Sequence, residues 1–295
     1  MMSRKSGAVR LAMILTACLA SPAYAEEASS EAAGGTADLT VFAAASMTET
    51  LTELADMYRK ENPGTDISFN FDSSGTLETQ ILQGADCDIF LSAAQKQMNE
   101  LDRDQGTDTN PDGHDFLLPG TRVDLLENKV ALAVPDGNPK GITGFDDLAK
   151  RLGSPDKEEE FLLAIGNSDV PVGQYTQKIL DYYGLSEEEL ADAGRLTYGS
   201  NVKEVTTQVS EGSVDCGIIY QTDAYSEGLA VEDTAAPDMC GRVIYPAAVL
   251  KDSRYPAEAK AFLAYLQSPE ARSVFEKVGF TPLSGEAETE SETEK

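Results

Sequence analysis

The 295-residue sequence predicts an α/β fold, and three observations carry that prediction. Apolar runs of strand length recur from Leu39 to Phe280. Stretches with helical spacing of apolar residues separate them. No tandem repeat or long structureless insert interrupts the alternation, although Leu101 to Asp115 is a sizeable polar connection. With 41% hydrophobic and 25% charged residues there is apolar material for one large core or two smaller ones, and length alone leaves both open.

Leu39-Thr-Val-Phe-Ala43 is the first strand. It passes through Ala44, Ala45 and Ser46 into a helix with its apolar face at Leu51, Leu54, Ala55 and Tyr58, ended by Asn62-Pro63-Gly64. Ile67 to Phe71 alternates as a second strand, Ser73-Ser-Gly-Thr76 reads as a turn, and Leu77, Ile81 and Leu82 begin another helix. Asp88-Ile-Phe-Leu91 is a third strand, so this spacing describes parallel strands joined by crossover helices. A second series starts with strands at Val130–Val134 and Phe161–Ile165, then a helix from Gln174 to Tyr183. It continues with a helix at Val202–Val209 and a strand at Cys216–Tyr220. Val243 to Val249 reads as a strand that Pro246 interrupts or places at an edge. Helices over Ala257–Leu266 and Pro269–Val278 close the fold.

The first 25 residues read as an export signal. Arg4, Lys5 and Arg10 precede the apolar run Leu11–Leu15, and Ser21-Pro-Ala-Tyr-Ala25 offers a cleavage site. Leu15-Thr-Ala-Cys18 offers the alternative of a bacterial lipobox, with a lipid on Cys18. Either route puts the protein outside the cytoplasmic membrane, in the periplasm or on the outer face. An acidic Ser/Gly-rich linker, 26–37, follows. At the other end, 286–295 holds five Glu and one Lys and reads as an acidic disordered tail.

Net charge is −28, and without the three basic leader residues 20 Lys and Arg face 51 Asp and Glu, or −31. Such a surface excludes nucleic acid and anionic membrane as partners. Cys87, Cys216 and Cys240 allow at most one disulfide, and Cys216–Cys240 closes the shortest loop, but the sequence does not choose the pair. The single His114 lies in a polar loop, where solvent exposure suits it better than ligation.

Four strand-to-helix passages carry the functional expectation: Ala45-Ser46, Ser74-Gly75, Val172-Gly173 and Asn201-Val202. Each offers backbone N–H groups ahead of the first helical hydrogen bond, and Ser46 and Ser74 add hydroxyls. Gathered at one cleft, such donors hold an anion without Lys or Arg, which reconciles anion binding with the acidic surface. Taken singly, each serine reads as an ordinary cap, Tyr220 as a core or rim aromatic, and Val172 and Val202 as packing residues.

Several stretches, in order along nearly the whole exported part, resemble the molybdate-binding subunits of ABC transporters. They are Thr40–Ser46, Phe71–Thr76, Ile81–Ala85, Asp88–Met98, Asp169–Gly173, Gly217–Tyr220 with Thr222–Ala224, Tyr245–Val249 and Gly279–Thr281. The resemblance implies a two-lobed periplasmic-binding-protein fold (type II), each lobe a mixed sheet flanked by helices, with the ligand in the interlobe cleft. It implies lobe one as 38–121 plus 247–285 and lobe two as 122–246. It implies an oxyanion shell of the Ser46 and Ser74 hydroxyls, the Val172 and Val202 backbone N–H groups and the Tyr220 hydroxyl. Gly75 stands where some members have serine, and Cys87 replaces a common alanine.

The implied function is extracytoplasmic capture of molybdate, and tungstate, for delivery to an ABC permease and its ATPase. A monomer with no catalytic residues, no cofactor and no direct metal ligands would serve, molybdenum being held only through its oxyanion. The alternative ligand is another anion such as sulfate or a small organic acid. An enzyme would need a nucleophile, base or metal set, and Ser46 and Ser74 have no such partner nearby in sequence.

Overall fold

The apolar runs become the strands of two mixed sheets in the computed structural model, which describes residues 36–154 and 161–283. The leader with its two processing routes, nearly all of the acidic linker and the acidic tail lie outside those residues. The chain opens with β1 (Ala37–Ala44), which passes through one 3-10 turn, Ala45–Met47, into α1 (Thr48–Glu61). Next come β2 (Thr65–Asp72), α2 (Ser74–Leu82), β3 (Ile89–Leu91) and α3 (Gln95–Leu101). A long connection leads to β4 (Val123–Asn128), and Lys129 alone separates it from β5 (Val130–Val134).

The second sheet is built as α4 (Phe145–Leu152), β6 (Leu163–Gly166), α5 (Pro171–Tyr182), α6 (Glu187–Asp192), β7 (Leu196–Gly199) and α7 (Val202–Ser210). It is completed by β8 (Cys216–Tyr220), α8 (Gln221–Glu227), β9 (Ala230–Thr234) and α9 (Pro237–Cys240). Finally β10 (Val243–Val249), α10 (Pro256–Tyr265), α11 (Pro269–Val278) and β11 (Thr281–Pro282) return to the first sheet.

The first sheet has the order β11-β4-β10-β3-β1-β2 and the second β7-β6-β8-β5-β9. β1, β2 and β3 run parallel, with β10 antiparallel to both β3 and β4. β6 is parallel to β7 and β8, and β5 is antiparallel to β8 and β9. This is the two-lobed α/β arrangement of the type II periplasmic-binding proteins. The chain leaves the first sheet after Asn128 and re-enters it at Val243.

Burial explains the strand composition. β5, β8 and β10 are buried at every position, as strands covered by helices on both faces must be. α1 turns Leu51, Leu54, Ala55 and Tyr58 inward at helical spacing, and Tyr58 packs edge-on to Phe262 of α10.

Several local expectations are corrected. Pro246 neither breaks β10 nor lies at an edge: β10 is central, and a register shift between Tyr245 and Pro246 accommodates the missing N–H. Ser73-Ser-Gly-Thr76 is the first turn of α2, because the Ser73 hydroxyl caps the Thr76 N–H at 3.2 Å. α5 begins at Pro171, whose fixed φ and absent N–H suit the first helical position. The second sheet takes up Leu163–Gly166, so Phe161 precedes the strand.

Cys87, Cys216 and Cys240 are all free thiols. His114 is half-buried, not exposed: its Nδ1 lies 3.1 Å from the Glu100 carbonyl and its ring packs edge-on to Phe116. Among the described residues no helix is long and apolar enough to cross a membrane.

Candidate functional site

Four helix starts meet where the two sheets face each other. β1 and β2 of the first sheet end at the 3-10 turn and at α2, and β6 and β7 of the second end ahead of α5 and α7. In α2 the first intrahelical bond runs from Leu77 N–H to Ser73 O, so the N–H groups of Ser74 and Gly75 lie ahead of it. In α5 it runs from Gln174 N–H to Val170 O, which puts Val172 and Gly173 ahead. In α7 the Asn201 side chain accepts the Glu204 N–H at 3.1 Å, and Val202 and Lys203 precede it.

Contacts across the gap bring these starts together. A Cβ added at Gly75 would sit 2.3 Å from the Asp169 carbonyl oxygen, so the start of α2 touches the segment that leads into α5. Asn201 Nδ2 donates to Asp72 Oδ1 at 3.4 Å, tying the α7 cap to the end of β2. Lys203 Nζ donates to both oxygens of Glu49 on α1, at 2.9 and 3.0 Å, and lies 3.4 Å from Asp223 Oδ1.

All five expected site residues are buried here. Ser46 Oγ is 2.9 Å from the Tyr245 hydroxyl. Ser74 Oγ accepts the Ala93 N–H at 2.9 Å. The side chains of Val172 and Val202 belong to the apolar core, which leaves their backbone N–H groups as the parts able to meet a ligand. Tyr220 lies edge-on between Tyr245, 5.8 Å between ring centres, and Tyr175, at 6.5 Å. Its hydroxyl is buried without a hydrogen-bond partner among the described residues. A buried unpaired hydroxyl costs about 1–3 kcal/mol unless something external meets it. Burial, with the neighbouring Tyr245 next, pushes the Tyr220 phenol well above its ordinary pKa; burial does the same to Tyr245. Both are neutral proton donors at any ordinary pH.

Ser46 and Tyr220 thus share Tyr245 as a neighbour, Ser74 adjoins the α5 approach through Gly75, and Val202 adjoins Asp72 and Glu49 through its neighbours. Sequence reasoning gave no role to Tyr245, Asn128, Thr222, Lys203 or Asp223. Asn128 Nδ2 donates to the Tyr245 hydroxyl at 3.1 Å and to Thr222 Oγ1 at 2.9 Å. Asp223 is fully buried, with the Lys203 ammonium 3.4 Å from Oδ1 as its ion-pair partner; burial raises its pKa to about 7 against the opposing pull of Lys203. Tyr245 and Thr222-Asp223 stand in stretches singled out above, but their reach across the fold is not a local signal.

Beside these contacts an interlobe groove of about 660 Å³ opens between α2 and α3 on one side and α5 and α9 on the other. Glu78 lines it, with its pKa raised to about 8 by burial first and Glu100 second. Among the described residues no group of three or more His, Cys, Asp or Glu is placed to hold a metal ion. The chemistry available at the helix starts is therefore hydrogen-bond donation to an anion or a polar ligand.

Comparison with known proteins agrees with this geometry. The family model described as "Bacterial extracellular solute-binding protein" matches residues 39–281. The "Putative ABC transporter substrate-binding lipoprotein YvgL" of Bacillus subtilis is 35% identical over 82% of this chain and 86% of its own length. The molybdate-binding protein ModA of Haemophilus influenzae is 32% identical over 83% of this chain and 90% of its own. The periplasmic molybdate-binding protein of Azotobacter vinelandii shares the fold, with a TM-score of 0.68 at 22% identity, over 83% of this chain and all of that one. The family binds solutes for transport and is not catalytic. The chain belongs to the bacterial extracellular solute-binding proteins of the ABC-transporter type and is closely related to the ModA molybdate-binding proteins.

Proposed function

We propose that the protein captures molybdate, and tungstate in the same way, outside the cytoplasmic membrane and delivers it to an ABC permease driven by its ATPase. The observation that carries this reading is the buried Tyr220 hydroxyl, without a hydrogen-bond partner among the described residues, close to Tyr245 and Ser46 at the meeting of four helix starts. A tetrahedral oxyanion would take the Ser46, Ser74 and Tyr220 hydroxyls with the Val172 and Val202 N–H groups, repaying the burial of all five. The relatives named as molybdate-binding support the choice of ligand. Cavity size would separate ligands: tungstate nearly matches molybdate, while sulfate is smaller and would span the donors poorly.

The lobes proposed to close on the anion are 38–121 with 247–285 on one side and 122–246 on the other. Ligand bridging both would favour the closed state. Cys18 is proposed as a lipid anchor, with cleavage after Ala25 as the alternative that frees the chain; intact-mass measurement of the membrane fraction separates them. The ligand reading is tested by thermal unfolding of ligand-stripped protein with each anion. Molybdate and tungstate should raise Tm in a concentration-dependent way, sulfate and phosphate little; equal shifts from all four would reject the assignment.

A further inference from the structure

The hydroxyls at the site have fixed polarities, and the residues that fix one of them lie outside the proposed shell. Asn128 is buried, and its Oδ1 accepts the Lys129 N–H at 2.8 Å. That bond sets the amide's orientation, so Nδ2 faces the Tyr245 hydroxyl at 3.1 Å and Thr222 Oγ1 at 2.9 Å. An amide NH₂ can only donate. Tyr245 oxygen therefore accepts from Asn128, and its own proton needs an acceptor. Ser46 Oγ, at 2.9 Å, is the one in hydrogen-bonding geometry among the described residues. Ser46 accepts from Tyr245 and is left with its own proton to give away.

Ser74 is arranged the same way by a different donor. Its Oγ accepts the Ala93 N–H at 2.9 Å, so its proton is likewise free. Tyr220, with no partner among the described residues, has its proton available too. Three hydroxyls are thus set to donate.

We infer that Asn128 and Tyr245 are positioning residues that lock Ser46 as a hydrogen-bond donor, and that this lock selects fully deprotonated oxyanions over protonated ones. An anion carrying a proton, such as hydrogen phosphate or hydrogen arsenate, needs an acceptor in the site. Ser46 is the hydroxyl that would turn to accept if its partner allowed it, and the Lys129–Asn128–Tyr245 relay forbids the turn. The inference rests on the oxyanion reading of the site but not on which metal oxyanion is bound.

Selenate and arsenate isolate the proton. They are tetrahedral and close in size, and at mildly alkaline pH selenate is a bare dianion while arsenate is a dianion with one proton. Calorimetric Kd values for both are measured on the full exported protein and on Asn128→Asp and Tyr245→Phe. Asn128→Asp replaces a donor by an acceptor, so Tyr245 turns to donate to it and then accepts from Ser46. Tyr245→Phe simply releases Ser46.

The wild-type protein is expected to favour selenate by at least about tenfold, the equivalent of one charge-assisted hydrogen bond. The ratio should fall towards one in Asn128→Asp and to an intermediate value in Tyr245→Phe. Repulsion from an added carboxylate acts on both dianions alike and cancels in the ratio. Equal wild-type affinities overturn the inference without any variant. A folded variant that loses affinity for both anions in the same proportion also overturns it, since that is what loss of packing alone would do. Wild-type protein that binds no oxyanion at all overturns instead the reading of the site on which the inference rests.

Discussion

At the scale of single residues, the proposed shell is a set of neutral donors, of which the buried Tyr220 hydroxyl has no hydrogen-bond partner among the described residues. Ser46→Ala removes one buried charge-assisted hydrogen bond and should weaken oxyanion binding by about 1.5–3 kcal/mol. Calorimetry checks it, and an unchanged Kd would take Ser46 out of the shell. Asp223 makes a separate prediction. Its pKa is raised by burial to about 7, above the ordinary carboxylate value of 3.8, so the folded chain holds the proton more tightly than the unfolded one. Its contribution is therefore fully present below about pH 4 and declines as pH rises through 7. Tm of the wild type should fall between those limits relative to Asp223→Asn, which keeps the shape without the titration. Parallel Tm–pH curves would contradict it. These residues also mark where sequence reading stops. Ser46 and Ser74 are legible because a strand-to-helix passage is a local pattern. Tyr245 pairs with Ser46 across 199 residues and with Asn128 across 117, and no local pattern carries such pairings.

At the scale of elements, what is legible follows burial. β5 and β8 are buried throughout and stand out as unbroken apolar runs. β7 and β9 are short, partly exposed edge strands of the second sheet, and their polar residues hide them. β10 was legible as a strand but not as a central one, because the bulge at Tyr245/Pro246 depends on its pairing with β4. Two glycines separate folding from closure. A Cβ at Gly173 would meet the Asn167 and Gly166 carbonyl oxygens at 2.2 and 2.4 Å, backbone atoms of the turn that feeds α5. Gly173→Ala should lower Tm by several degrees, a cost of about 1–3 kcal/mol. At Gly75 the obstacle is Asp169 across the gap between the sheets. Gly75→Ala should leave Tm of the ligand-free protein nearly unchanged while weakening oxyanion binding about tenfold or more, if the proposed closure is what brings α2 against Asp169. Paired unfolding and titration measurements decide it; a Gly75→Ala chain that binds normally would show that the approach of α2 to Asp169 plays no part in closure.

At the scale of the whole molecule, the proposed function asks an acidic protein to hold an anion. The net charge of −28 acts at long range and is screened by salt, whereas hydroxyls and helix-start N–H groups act at contact distance. Association of a dianion should therefore speed up as ionic strength rises, with dissociation changing less. A stopped-flow salt series with the opposite slope would place a basic funnel at the entrance, contrary to this account. The central claim is that the cleft is a molybdate and tungstate receptor, and isothermal titration calorimetry of the ligand-stripped protein tests it most directly. Molybdate and tungstate should each bind tightly one-to-one, with little heat from sulfate or phosphate; preference for sulfate or phosphate, or silence for all four, would contradict that function.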